Sequence, residues 1–369
     1  MSPTAAARSD TGAHPVDLAL PDRLAEALTA FLTERRAAAA AIDPAFGAAA
    51  DELCAFVLNG GKRIRPTFAW WGWRGAGGDP DGPEVPAVLR AIGALELIQA
   101  CALVHDDLMD ASATRRGRPS VHVEFARRHA DAAWRGRPAR FGAAAAILLG
   151  DLALVWADDM LRGARLPADA AARAVTPWEA MRTEVLGGQY LDVFVQSTGD
   201  TSTRAALQVD RYKTAAYTVE RPLHLGAAIA GAHPDLIACY RRFGADIGVA
   251  FQLRDDLLGV FGDPAVTGKP AGDDLREGKR TLLLALAVER ATPAAVAVIE
   301  EAVGDPDLSD EKLDRVRNLL VELGAVQAVE QRIAALTGSA LDALSTSAVT
   351  EPAASRLADL AVAATRRRR

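Results

Sequence analysis

The sequence predicts an all-α fold, a single domain built as a bundle of long antiparallel helices joined by short connections. Three observations carry that expectation. Half of the 369 residues are hydrophobic, alanine dominates that half and aromatics supply only 5%, a balance that favours packed helices over a sandwich or barrel. Apolar residues recur at spacings of three and four along most of the chain. Nowhere do several residues of alternating, β-branched pattern stand between turn signals.

The elements follow in order. Residues 1–15, small, polar and punctuated by Pro3, Gly12 and Pro15, read as a disordered N-terminus. The domain is expected over residues 16–365, and residues 366–369 form a basic tail of four arginines. A helix is predicted over residues 17–41, where Leu20, Leu24, Leu28, Phe31 and Leu32 share one face. Asp43-Pro44 breaks it, and a second helix runs to Leu58 before Asn59-Gly60-Gly61. Residues 75–86 are a loop by composition, and residues 87–110 one long helix that ends in acidic residues. The arginine-rich stretch 115–140 begins as a loop. Long helices are expected at about 141–163, 168–196, 203–231 and 234–261, then a polar loop with several glycines. From Thr281 the chain is alanine- and leucine-rich helix, interrupted at Pro293 and at Asp305-Pro306.

Composition excludes several functions. A net charge of −6 argues against general nucleic-acid binding. Cys54, Cys101 and Cys239 are far apart and odd in number, which suits a reducing cytoplasm rather than a disulfide framework. The first fifteen residues have no apolar core of a secretory signal, and the apolar stretch 141–157, broken by Asp151, falls short of a membrane span. A cytoplasmic protein is the expectation.

Two acidic clusters point to chemistry. In His105-Asp106-Asp107-Leu108-Met109-Asp110, Asp106 and Asp110 are i and i+4, so both carboxylates leave one helix face about one turn apart. Bare carboxylates at that spacing repel unless a cation sits between them, and oxygen-only ligands favour magnesium shared with phosphates. The plain alternative is a solvated helix end, but the macrodipole disfavours acids there. A second cluster, Gln252, Arg254, Asp255 and Asp256, also ends an apolar helical run and precedes Asp263, Lys269, Asp273, Asp274 and Lys279. Basic groups lie around both: Lys62, Arg63 and Arg65 at a glycine-opened helix start, Arg115-Arg116, and Lys213-Thr214. Each alone fits a surface salt bridge; together with the aspartates they describe a diphosphate cage.

In these blocks the sequence resembles the trans-prenyl diphosphate synthases, the family of farnesyl and geranylgeranyl diphosphate synthases. The matching segments, in family order, are GGKRIRP, HDDLMD with RRG, GGQYLD at 187–192, KTAAYT at 213–218, FQLRDD, and GDPAVTGKPAGDDLREGKRT at 262–281. Actinobacterial members look closest. The resemblance implies a helical fold around a central cavity, a homodimer, and three magnesium ions per site. The residues implied in metal binding are Asp106, Asp107, Asp110, Asp255 and Asp256. Arg115, Lys213 and Lys269 are the implied holders of the allylic diphosphate; Lys62, Arg65, Arg116 and Gln99 those of isopentenyl diphosphate. Thr214, Gln252 and Lys279 complete the substrate set, while His105 is expected to be structural. One departure stands out: where the fuller second motif has a third aspartate, this chain has Gly259, which leaves Asp255 supported by Asp256 and Asp263.

Product length is expected to follow the helix bearing Asp106, since each four residues toward its N-terminus descend about 6 Å on one face. Ala102 and Cys101 come first, then Ile98, then Leu95, with Trp156 as a candidate opposing wall. Farnesyl-type members carry bulky aromatics in the first layer; here it is small, which implies geranylgeranyl diphosphate. The plain alternative is that small residues serve close helix packing. A farnesyl or longer-chain synthase, a terpene cyclase of the same fold, and a non-catalytic regulatory subunit remain the alternatives.

Overall fold

The computed structural model describes residues 14–59, 61–263 and 271–366. The readings for residues 1–13, for Gly60, for Lys269 and its loop, and for the last three arginines lie outside the described residues. Several helices start where the chain supplies a cap and a proline together. Asp43 accepts a hydrogen bond from Ala45 N just ahead of Pro44, and His233 accepts one from Asp235 N ahead of Pro234. After a single turn, α1 (Pro15–Leu18), the chain forms α2 (Leu20–Ile42), α3 (Pro44–Leu58), α4 (Ile64–Gly75) and α5 (Val85–Met109). Then come α6 (Val121–Asp131), α7 (Pro138–Arg162), α8 (Ala168–Thr198) and α9 (Thr203–Val209). A π-helical segment, Asp210–Glu220, joins α9 to α10 (Arg221–Ala230), and α11 (Pro234–Phe261) follows. The C-terminal part holds α12 (Asp273–Arg276), α13 (Leu282–Arg290), α14 (Pro293–Ala302), α15 (Asp310–Glu322), α16 (Ala325–Ser345) and α17 (Ala353–Thr365).

Helix α5 is the axis of the bundle because it is apolar on every side, and it touches α2, α3, α4, α6, α7, α8 and α10. The predicted stripe on α2 is buried against it, with Leu24, Leu28 and Phe31 fully enclosed. Removing one such leucine side chain would cost about 2–5 kcal/mol. One core cluster gathers α2–α8, α10, the first half of α11, the end of α16 and α17; a second gathers the last half of α11 with α9, α12–α15 and the first part of α16. Helix α11 thus belongs to both, through Phe243 and Ile247 in the first and Leu253 and Leu257 in the second. The C-terminal helices are tied to it by Arg254, whose guanidinium donates to Glu330 at 2.7 and 2.6 Å and to Thr365 O at 3.0 Å.

Three features depart from the sequence reading. Residues 114–119 make a two-stranded antiparallel hairpin, Thr114–Arg115 against Arg118–Pro119. The arginine-rich stretch contains a real helix, α6, because Val121, Phe125 and His129 recur at i+4 and pack on α7 while the arginines cover the outer face. And the helix expected across residues 203–231 loosens to i→i+5 bonding over Asp210–Glu220. In addition, α7 taken whole is long and apolar enough to cross a bilayer by length and composition alone, where its apolar stretch was expected to fall short; so is α5, which is mostly buried in the core.

Candidate active site

The end of α5 delivers the first acidic cluster to a cavity of about 460 Å³. Asp106 lies in its wall, and Lys213 from the π segment donates to Asp106 Oδ1 at 2.9 Å and to Asp192 Oδ2 at 2.6 Å. Burial raises the pKa of Asp106, but Lys213, with Lys279 and Arg115, holds it below its ordinary value. Asp110, one turn on, has a side chain only 4% exposed. Burial and then the Asp106 charge push it up to about 7. Asp107 does not share the cavity wall: it is fully buried and accepts from Arg115 Nε at 2.7 Å. Asp107, expected among the ligands, here holds Arg115, which also reaches Asp106 at 3.5 Å.

Helix α11 brings the second cluster to the same cavity, with Asp255, Asp256 and Gln252 in the wall. Asp255 is exposed toward it, whereas Asp256 is buried and accepts from Gln252 Nε2 at 2.6 Å. Burial, with Asp210 and Asp274 nearby, holds Asp256 well above the usual carboxylate range. Gln252 in turn accepts from Thr214 Oγ1 at 2.6 Å, which fixes its amide between α11 and the π segment. The π segment reaches so far inward because Gly188 of α8 lets it: a Cβ there would stand 2.1 Å from Lys213 N. Lys213, Thr214, Tyr217 and Thr218 all line the cavity from this one stretch. Lys279 spans the two clusters, 3.3 Å from Asp274 and 3.9 Å from Asp110; despite burial its pKa is raised by Asp274, Glu277 and Asp110.

A cationic corner faces them. Lys62, Arg65, Arg116 and Gln99 all line the cavity. Arg65 stacks on the Tyr217 ring at 4.0 Å and donates to Thr218 Oγ1 at 2.9 Å, while Tyr217 donates to Gln99 Oε1 at 3.1 Å. Arg63, third cation of that turn, also borders the cavity but is buried in a pair with Glu96 and donates to Val57 O at 3.0 Å. It anchors the loop rather than offering a charge. Below this corner the wall is apolar, with Ala102, Cys101 and Ile98 from α5 and Leu154, Val185 and Leu186 opposite. Leu95 and Trp156 are buried behind that wall and do not line it. His105 Nε2 donates to Ile147 O at 3.2 Å and packs on Gly150, a strut between α5 and α7.

Sequence reasoning missed several of these groups. Asp192 and Gln189 sit in the quoted GGQYLD block and Tyr217 in KTAAYT, yet only the fold pairs Asp192 with Lys213 and Tyr217 with Arg65. Asp210, fully buried and pushed up to about 8 by burial and Asp192, carries no local signal at all. Asp263 lies outside the cavity wall, and Asp274 lies in it.

The donor set fits magnesium. Every ligating atom on offer is oxygen, and the burial and Asp106 charge that together raise Asp110 are offset by a divalent cation. Asp106 and Asp255 line the cavity, and Asp110 lies one turn beyond Asp106, 3.9 Å from Lys279. Among the described residues no three such groups close on a metal by themselves.

Comparison with known proteins carries the same pattern. A crystal structure of geranylgeranyl pyrophosphate synthase from Corynebacterium glutamicum, complexed with isoprenyl diphosphate and magnesium, superposes with a TM-score of 0.92 at 48% identity, covering 95% of this chain and 99% of that one. The geranylfarnesyl diphosphate synthase of Aeropyrum pernix is 33% identical over 78% of this chain and 84% of its own. A (2E,6E)-farnesyl diphosphate synthase of Mycobacterium bovis is 36% identical over 71% of this chain and 67% of its own. The polyprenyl synthetase family model matches residues 48–320, a span that holds both acidic clusters, the cationic corner and the π segment between them. With opposed aspartate clusters and a cationic corner facing one helical cavity, this chain belongs to the polyprenyl synthetase family.

Proposed function

We propose that this prenyltransferase joins isopentenyl diphosphate head-to-tail to allylic diphosphates and releases chiefly geranylgeranyl diphosphate. The observation that carries the reading is the cavity itself: acidic clusters and cations at one end, and a wall opened by Ala102 and Cys101 toward Ile98 below. Residues 16–365 act in it as one catalytic domain, in the cytoplasm, and as a homodimer. The exposed apolar faces of α7 (Ile147, Leu148, Val155) and α8 (Val193, Phe194) support that assembly.

Magnesium, with three ions expected per site, supplies Lewis-acid neutralisation of the allylic diphosphate oxygens. The chain's own groups do the rest. Asp106, Asp110 and Asp255 would hold those ions, and Arg115, Lys213, Lys269 and Lys279 stabilise the charge that develops as the allylic C–O bond breaks. Lys62, Arg65 and Arg116 hold the isopentenyl diphosphate in the opposite corner, with Gln99 fixed by Tyr217 between them. Thr214 and Gln252, locked to each other, face the reacting carbons. The isopentenyl double bond attacks the allylic cation, and the proton it then loses passes to the departing diphosphate. No protein nucleophile is required.

A terpene cyclase would have no use for the corner of Lys62, Arg65, Gln99 and Arg116, which favours elongation. The test is incubation with magnesium, isopentenyl diphosphate and dimethylallyl, geranyl or farnesyl diphosphate in turn. Incorporation of the isopentenyl unit with every primer that fits is expected. Turnover of an allylic diphosphate without any incorporation would overturn the reading in favour of cyclisation or hydrolysis.

A further inference from the structure

Two charged residues of the π segment stay outside the cavity wall. Arg211 and Glu220 stand at its two ends, nine residues apart, and their side chains pair. On an α-helix, with about 3.6 residues per turn, nine residues make about two and a half turns and put the two on opposite faces. With i→i+5 bonding, at about 4.4 residues per turn, nine residues close about two turns and bring them to one face. The pair therefore exists only in the π form. Glu220 is 1% exposed and also accepts from Arg241 Nε of α11 at 3.0 Å. Helix α11 closes over it at Gly244, where a Cβ would stand 2.4 Å from Glu220 Cα.

We propose that the Arg211–Glu220 pair is a staple that holds residues 210–220 in the π form, and so sets where Tyr217 and Thr218 meet the isopentenyl diphosphate corner. Relaxation to α-helical bonding would turn each residue about 18° further from its neighbour. Lys213, near the start of the segment, is fixed independently by Asp106 and Asp192. Tyr217 and Thr218, four and five residues on, would then swing by about 70–90°. That movement takes both away from Arg65, and Tyr217 away from Gln99. Arg211 and Glu220 are positioning residues, acting on substrate only through that corner. The plain alternative is that Arg211 and Arg241 merely neutralise a buried carboxylate. That would make the two arginines equivalent, and it leaves unexplained a partner drawn from the other end of the same segment at a spacing that only the π form closes. The inference rests on the isopentenyl diphosphate reading above.

The test compares the full-length wild type with Arg211→Ala, Arg211→Lys and Arg241→Ala. Both arginine side chains are partly exposed, 30% and 45%, so each can be cut back without opening the core. Two readouts are taken: the KM values for isopentenyl and geranyl diphosphates with magnesium, and amide hydrogen exchange over residues 210–220. Arg211→Ala is expected to raise the isopentenyl diphosphate KM about 10-fold and to leave that of geranyl diphosphate within about 2-fold of wild type. Exchange over residues 210–220 is expected to quicken by about 10-fold in the same variant. Arg211→Lys, which keeps a cation on a long stem, should restore most of both, and Arg241→Ala should leave both near wild type. Equal effects of Arg211→Ala and Arg241→Ala on either readout overturn the proposal. So does a geranyl diphosphate KM that rises as much as the isopentenyl one, or an Arg211→Lys variant no better than Arg211→Ala. Failure of the wild type to elongate any primer would overturn the functional reading instead, and the exchange rates would still decide the staple.

Discussion

At the scale of single residues, the site is a set of carboxylates kept close by cations that substrate and metal must displace. Lys213 between Asp106 and Asp192, and Lys279 between Asp274 and Asp110, are those cations. Asp110 reports the strain most clearly. In the folded, cation-free protein it titrates near 7 rather than at its ordinary 3.8, so the folded state holds a proton that the unfolded chain releases. Cation-free stability is therefore expected to fall as the pH rises from about 4 through 7. Asp110→Asn should raise the unfolding free energy at pH 8 by about 1–3 kcal/mol, leave it unchanged at pH 4, and abolish most elongation. Melts at both pH values check this; equal effects at the two would contradict it. The sequence was informative on Asp106 and Asp110 because their i, i+4 spacing is local. It was silent on Asp192 and on the burial of Asp107 and Asp256, which depend on helices distant in the chain.

Among the elements, the π segment does most to shape the cavity. Its i→i+5 bonding places Lys213, Thr214, Tyr217 and Thr218 on the inner side together, and Gly188 of α8 gives it room. Gly188→Ala puts a methyl group against the Lys213 backbone. It should destabilise the protein by about 1–3 kcal/mol and lower kcat more than it changes the isopentenyl diphosphate KM. A variant with wild-type kcat would contradict this role. Helical periodicity read the span 203–231 correctly as helix, but one extra residue per turn is invisible to a pattern with a period of 3.6. Helix α6 escaped for another reason: eleven residues with only Val121, Phe125 and His129 facing inward are dominated in composition by their outward arginines.

For the whole molecule, the all-helical architecture was legible throughout, because long amphipathic and apolar runs leave few other folds. What the chain does with its exposed apolar faces was not, since the same leucines and valines serve core and interface alike. The homodimer reading predicts a solution mass near twice 38.9 kDa, and Phe194→Glu, from a side chain 49% exposed on α8, should shift it toward the monomer in light scattering. A monomeric wild type would contradict that reading. The central claim concerns the cavity: carbon–carbon bonds form at its charged end and the chain grows past Ala102. It is tested most directly by sizing the dephosphorylated products of the wild type and of Ala102→Phe, made from isopentenyl and dimethylallyl diphosphates with magnesium. The account predicts geranylgeraniol from the wild type and a shift to farnesol in the variant. Products of one length from both proteins, or no elongation by the wild type, would contradict it.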